Sequence, residues 1–346
     1  MSEVIEHLAE LTGFRDRDVL DVTLVGAFRD LLQPDSVAIF RPVGEAGAQR
    51  WLTRARLLLH ETTPRADSMW SALEELPELQ AFPAHHRCLS QRASLSIETD
   101  GSWMCLFALT TDRDDVNGVL EICTRSALDE QQVRMVSSIL RVYRNFQGLL
   151  DYSERDTLTG LLNRKTFDGS FLRVAARGED GTETDGGSAA GRRGQPAGNA
   201  WLGVVDIDHF KSVNDTHGHL IGDEVLLLAA RLMRNSFRFQ DQLYRFGGEE
   251  FVVLMRGGNA EQAVMAFERM RTNVQNYAFP RVGTITVSVG FSQLRSGDTP
   301  SGAFERADKA VYYAKQHGRN QVAHYGELIE RGVLVEEARI SDVELF

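Results

Sequence analysis

Two adjacent glutamates, Glu249 and Glu250, follow two glycines in LYRFGGEEFVVLM (243–255), between apolar runs that read as the strands of a hairpin. A third carboxylate, Asp206, closes the apolar run of WLGVVDIDHFKSVND (201–215), where a strand gives way to polar and basic residues. Like charges gathered at a strand end and a hairpin tip repel, so this is either a solvated turn or a place for a cation. Carboxylate oxygens suit Mg²⁺ or Mn²⁺, which keep positions for water and substrate phosphate. Gly247 and Gly248 then permit a tight turn and the close approach of a bulky ligand. Taken singly, D-x-D and a Gly-Gly-Glu-Glu turn are common, and composition does not choose between the two readings.

The elements that must position these groups are set by the rest of the chain. Its 346 residues, 42% hydrophobic and 25% charged, are enough for two cored domains. A net charge of −11 argues against broad electrostatic binding to nucleic acid or anionic lipid, so an anionic ligand needs metal ions or a few placed cations. Apolar runs such as VLLLAARLM (225–233) are too short to span a membrane, and the first residues, MSEVIEHLAE, carry glutamates where a signal peptide would be basic. These features predict a cytoplasmic protein without membrane insertion. Cys88, Cys105 and Cys123 are too few and too scattered for a disulfide framework and read as buried thiols. HHRC (85–88) lacks partners at metal-site spacing and reads as a surface loop.

Helical spacing in VLDVTLVGAFRDLL (19–32) is followed by candidate strands at 36–43, 50–59, 92–98, 103–111 and 117–124. This α+β order resembles a GAF-like sensor domain over residues 1–127. Residues 128–155 turn continuously helical, with Val136, Ile139, Tyr143, Phe146 and Leu150 at three- and four-residue steps. That stripe fits either a coiled-coil seam or a face docked on the preceding domain, and Val133 and Leu140 offer a second apolar face. Residues 178–200, rich in Gly, Ser, Thr and charge, read as a disordered insertion, and 327–346 as an acidic tail.

Four segments in fixed order then carry a resemblance: DTLTGLLNRKTF (156–167), DIDHFKSVNDTHGHLIGDEVL (206–226), RFGGEEF (245–251) and RADKAVYYAKQHGRN (306–320). Together they resemble the GGDEF family of diguanylate cyclases over 156–326, in a GGEEF variant. The resemblance implies a five-stranded, mostly antiparallel sheet flanked by helices, similar to polymerase palm and nucleotidyl cyclase domains. It implies condensation of two GTP into cyclic di-GMP with release of pyrophosphate, a 3′-hydroxyl attacking an α-phosphate across two facing domains. A homodimer and a Mg²⁺ or Mn²⁺ cofactor are therefore expected, as is control by an unidentified signal at the first domain.

Carried over residue by residue, the resemblance gives Asp206, the Ile207 carbonyl, Glu249 and Glu250 to the metal, with Glu249 the candidate base. It gives Lys211 to charge developing on the phosphates, and Lys315 and Arg319 to the β- and γ-phosphates. Asn214 and Asp223 would read guanine and His219 would line the substrate site. Arg238 and Asp241, with five residues between Asp241 and Gly247, match the family's inhibitory product site. Plainer uses remain open: Asp223 as a helix cap, Lys315 and Arg319 as an exposed pair, and Arg238 and Asp241 as a surface pair. A DTLTGLLNR role in fixing the start of the catalytic domain, through Asp156 and Asn163, is also expected. Two rival functions stand beside the cyclase: a non-catalytic module that binds GTP or cyclic di-GMP, and a mononucleotide cyclase. No P-loop sequence is present to hold GTP phosphates in another way.

Overall fold

The apolar runs expected as strands in the first part of the chain all pair. In the computed structural model, described for residues 6–7, 9, 11, 17–44, 47–67, 73–99, 101–111, 116–176 and 199–336, the chain forms two units, 1–153 and 154–346. All but the last two residues of the expected disordered insertion lie outside the described residues, as do residues 337–346 of the acidic tail.

In the first unit, β1 (Ser36–Val43), β2 (Arg50–Leu58), β3 (Leu95–Thr99), β4 (Ser102–Thr110) and β5 (Val116–Thr124) form an antiparallel sheet of order β2-β1-β5-β4-β3. Helices α1 (Arg17–Leu32) and α3 (Glu130–Glu154) share one core with it. Leu20, Leu24 and Phe28 of α1 meet Ile39, Phe107, Leu120 and Ile122 of the sheet and Val136, Ile139, Tyr143 and Leu150 of α3. The helical stripe that fitted either a coiled coil or a docked face is thus buried within its own unit. Val133, Leu140 and Phe146 pack partly against the same core. Leu149 and Tyr152 are instead 65% and 78% exposed.

A buried charge ties α3 to this sheet. Asp21 faces the guanidinium groups of Arg41 and Arg54, each at 3.2 Å, and accepts the hydroxyl of Tyr143, to which Gln147 donates at 2.8 Å. Burial pushes the Asp21 carboxyl upward, but the two arginines and the Tyr143 hydroxyl outweigh it and hold it below the usual carboxylate range.

The opposite face corrects the loop expected at HHRC. Residues Pro83–Gln91 form a helix, α2, with His85 and Cys88 buried. The His85 ring sits against Phe40, Trp51 and Phe82, with Nε2 2.9 Å from a Glu121 carboxylate oxygen. Cys105 is also buried, whereas Cys123 is only partly so.

In the second unit, β6 (Leu162–Asn163), β7 (Ala200–Ile207), β8 (Gln242–Gly247), β9 (Glu250–Arg256), β12 (Val287–Gln293) and β13 (Val322–His324) form a sheet of order β13-β12-β7-β9-β8-β6. A separate two-stranded ribbon joins β10 (Ala278–Phe279) to β11 (Gly283–Thr284). The centre of the main sheet is antiparallel and its two short edge pairings are parallel. The sheet has six strands rather than the expected five when the two-residue β6 is counted. Helices α4 (Arg164–Ala176), α5 (Phe210–His217), α6 (His219–Ser236), α7 (Ala260–Asn276), α8 (Pro300–Gln316) and α9 (Tyr325–Glu330) complete the unit. Leu328, beyond the expected domain end, is buried with Ala310, Ala314 and Tyr325.

Small residues decide how closely α8 lies on the sheet. Ala303, Ala307, Ala310 and Ala314, at helical spacing, are all fully buried. They meet Gly290 of β12, where a Cβ would fall 2.2 Å from the Val311 amide nitrogen and 2.3 Å from the Ala307 carbonyl oxygen. No helix among the described residues is long and apolar enough to cross a membrane.

Candidate active site

Antiparallel pairing of β7 with β9 sets Asp206 opposite Glu250, and the Ile207 amide donates to the Glu249 carbonyl at 3.4 Å. Asp206 and the Glu249–Glu250 pair, more than forty positions apart in sequence, are therefore brought to the same end of the two central strands. Between β8 and β9 the chain turns at Gly248 and Glu249; Gly248 has φ +51, in the left-handed region that glycine adopts without steric cost. Asp206 is 5% exposed, whereas Glu249 and Glu250 are partly buried.

Lys315, in the last turn of α8, places its ammonium 2.7 Å from Asp206 Oδ2. Electrostatics at this strand end follow from crowding. Burial raises the Asp206 carboxyl above its ordinary value, Lys315 opposes that, and Asp208 and Asp308 add to it. Burial and the charge of Asp206 likewise raise Glu249 and Glu250, again opposed by Lys315. Ionising all these groups together is therefore unfavourable, and a further positive charge is what the arrangement lacks.

The donors are hard oxygens, so the group fits a divalent cation such as Mg²⁺ or Mn²⁺ in its chemistry. Among the described residues no three His, Cys, Asp or Glu side chains stand in metal-holding geometry; one Asp206 oxygen is engaged by Lys315 instead. Asp208, the other aspartate of the D-x-D, faces away from this role. Its oxygens accept from Ser288 and Thr286 hydroxyls at 2.7 Å and from the Asn320 amide at 3.1 Å, which fixes the turn after α8.

Arg245 is a positioning residue that sequence reasoning missed. Its guanidinium donates to the Gly248 carbonyl at 2.9 and 3.2 Å and to the Asp156 carboxylate at 3.1 and 3.2 Å. Asp156 also accepts the Thr159 amide and hydroxyl at 2.8 and 2.7 Å. Burial acts to raise Asp156, but the Thr159 and Arg245 hydrogen bonds prevail and keep it below the ordinary carboxylate value. DTLTG is thereby joined to the hairpin tip. Asn163 Oδ1 accepts the Thr166 amide at 3.1 Å at the start of α4. Phe246, beside Arg245, stacks on Phe304 at 5.1 Å with Arg164 over its ring, which braces the hairpin base.

Asn214 lies against α6 at Gly222, where a Cβ would come within 2.0 Å of Asn214 Oδ1. The next residue, Asp223, is exposed. Because α6 begins at His219 and its N-cap is Gly218, Asp223 lies inside the helix and does not cap it. Gly222 is a second residue missed by sequence reasoning. Gly222→Ala is expected to displace the Asn214 amide; were GTP the substrate, as the resemblance implies, its KM would rise about tenfold with little change in kcat, read from steady-state kinetics. An unchanged KM would remove the guanine role of Asn214.

Lys211, His219 and Arg319 are exposed, and Arg319 sits at φ +58 in the turn leaving α8 rather than on the helix itself. Arg238 and Asp241 close the turn between α6 and β8: the Arg238 amide donates to Asp241 Oδ2 at 2.9 Å and the Asp241 amide to the Arg238 carbonyl at 3.0 Å. Burial pushes the Asp241 carboxyl up to about 6, against the pull of Arg238 and Arg269. Arg269 of α7, whose Nε donates to the Ser236 carbonyl at 3.0 Å, brings a third charge to this turn.

Residues 190–321 match the family model described as diguanylate cyclase, GGDEF domain. The second unit carries a GGDEF domain. Diguanylate cyclase DgcP of Pseudomonas aeruginosa is 37% identical over 170 residues, 48% of this chain and 23% of that protein. Diguanylate cyclase DgcZ of Escherichia coli is 37% identical over 172 residues, 49% of this chain and 52% of that protein. The chain thus spans from a quarter to about half the length of these two curated relatives. A solved GGDEF domain, of DgcB from Caulobacter crescentus in complex with c-di-GMP, is 34% identical, covers 50% of this chain and 93% of that one, and has a TM-score of 0.44.

Proposed function

We propose that this protein is a diguanylate cyclase that joins two GTP into cyclic di-GMP and releases two pyrophosphates. The observation that carries the proposal is the convergence of Asp206, Glu249 and Glu250 beside Lys315 within a GGDEF domain. Asp206, the Ile207 carbonyl, Glu249 and Glu250 would hold a divalent cation, Mg²⁺ or Mn²⁺, which would supply charge neutralisation at the phosphates. Lys211, Lys315 and Arg319 add positive charge where the triphosphate lies. Asp223 accepts from guanine N1–H and N2, a pattern adenine lacks, and Asn214 supplies the amide beside it; His219 lines the same site.

Each domain holds one GTP, and the 3′-hydroxyl of one attacks the α-phosphate of the other. Glu249 is the candidate base, although a carboxylate engaged by a cation is a weak one. Repeating the attack in the opposite sense closes the ring, so two copies must face one another. A contact along α3 between copies would use the face that carries Leu149 and Tyr152, since the Val136 stripe is already covered. The first unit, with its GAF-like order of elements, acts in this reading as the sensor in a cytoplasmic enzyme.

Incubation with GTP and Mg²⁺ followed by chromatographic product analysis tests the proposal. Cyclic di-GMP supports it; bound but unconverted GTP selects the non-catalytic module, and a cyclic mononucleotide selects the other cyclase. Product inhibition would act through Arg238 and Asp241, with Arg269 adjacent. Asp241→Ala is expected to weaken that inhibition about tenfold or more, because charge-assisted contacts are among the stronger ones. Inhibition in the parent should also weaken as pH falls below about 6, where Asp241 takes up its proton. Superimposable inhibition curves for Asp241→Ala and parent would dismiss the inhibitory site.

A further inference from the structure

Lys315 meets an atom that the proposed cation also needs. Its ammonium lies 2.7 Å from Asp206 Oδ2, a charge-assisted hydrogen bond, with side-chain exposures of 33% for the lysine and 7% for the aspartate. The charge of the same ammonium also opposes the rise of the Glu249 and Glu250 carboxyls. Helix α8 is pinned by its alanine stripe on Gly290 and does not move freely with the lysine. Only the four-carbon stem of Lys315 is free to redirect the charge.

A divalent cation bonds carboxylate oxygen at about 2.1 Å. With the ammonium still on Oδ2, two cations would crowd one carboxylate in a setting where burial weakens solvent screening. Were Asp206 to hold such an ion, the flexible lysine would turn toward solvent, where triphosphate oxygens would arrive. The charge that stabilises the carboxylates before the cation binds thus becomes available to the nucleotide afterward.

We propose that Lys315 and the divalent cation are exchanging partners of Asp206, so that cation binding releases Lys315 to grip the substrate phosphates. This deepens the cyclase reading and rests on its cation site. Binding is then ordered: the lysine reaches phosphate only once Asp206 has another partner. The exchange also makes Lys315 a competitor of the metal in the absence of nucleotide.

Two measurements on the full chain, both without nucleotide, test the exchange. Trace acetylation read by mass spectrometry should show Lys315 becoming about three- to tenfold more reactive when Mg²⁺ is added, with Lys211 and Lys309 as internal references. Titration with Mn²⁺ alone, followed by electron paramagnetic resonance, should show Lys315→Gln binding the ion about three- to tenfold more tightly than the parent. Unchanged Lys315 reactivity at saturating Mg²⁺ overturns the exchange, even if the variant binds Mn²⁺ more tightly through lost repulsion. Equal or weaker Mn²⁺ binding by Lys315→Gln overturns it as well. Failure to make cyclic di-GMP would strike the cyclase reading and leave both results standing, whereas cyclic di-GMP formation with unaltered Lys315 reactivity would strike the exchange alone.

Discussion

Asp206→Ala is expected to lower cyclic di-GMP formation by about three orders of magnitude or more while the protein stays folded. The size follows from the several kcal/mol of transition-state charge stabilisation that a metal site contributes. Folding survives because β7 keeps its backbone pairing to β9 and β12, and the lost side chain fills no apolar core. The linkage sign points the same way. Asp206 has a raised carboxyl pKa in the folded chain. The native state therefore holds that proton more tightly than the unfolded one, and the group's contribution to stability falls as pH rises from the ordinary value through the raised one. At neutral pH in a chelating buffer the variant should melt no lower than the parent. Product chromatography and thermal unfolding on one preparation check both halves; a variant that still makes product at the parental rate refutes the site.

Gly290→Val should have the largest effect on stability. The added Cβ would sit 2.2 Å from the Val311 nitrogen, 2.3 Å from the Ala307 oxygen and 2.7 Å from the Ala310 carbonyl carbon, all backbone atoms of α8. Backbone within a helix cannot step aside as a flexible side chain does, so the helix must lift. Overpacking of this kind costs about 3 kcal/mol or more, equivalent to a fall in Tm of about 6–12 °C for a unit of this size. Lifting α8 also carries Lys315 away from Asp206, so the KM for GTP should rise. Gly169→Ala in α4, where a Cβ meets nothing within 4 Å, is the control and should leave Tm unchanged or slightly higher. Equal melting of Gly290→Val and parent would show that α8 does not need this close approach.

Much of this was legible because strand endings and tight turns have local signals. An apolar run broken by Asp206, and a hairpin marked by Gly247 and Gly248, bring their carboxylates together for any sheet that pairs the two segments. Whether the stripe Val136, Ile139, Tyr143 and Leu150 faced a partner helix or a sheet was not legible, since steps of 3.5 and 3.6 residues diverge little over 25 residues. Burial against Leu24, Phe28 and Ile122 decides it. HHRC read as a loop because polar residues obscure the helical period, yet His85 is enclosed by rings and Glu121. Arg245 resembled any solvated strand residue. Its use depends on Asp156, 89 positions earlier, and on a carbonyl at the hairpin tip, neither of which leaves a local trace.

That guanidinium has a mechanical consequence. One side chain grips the first loop of the second unit at Asp156 and the peptide immediately before Glu249 at Gly248. The loop at Asp156 and the hairpin tip at Gly248 are thus held in one fixed relation by a single planar group of atoms, so a substitution at Arg245 would loosen both at once.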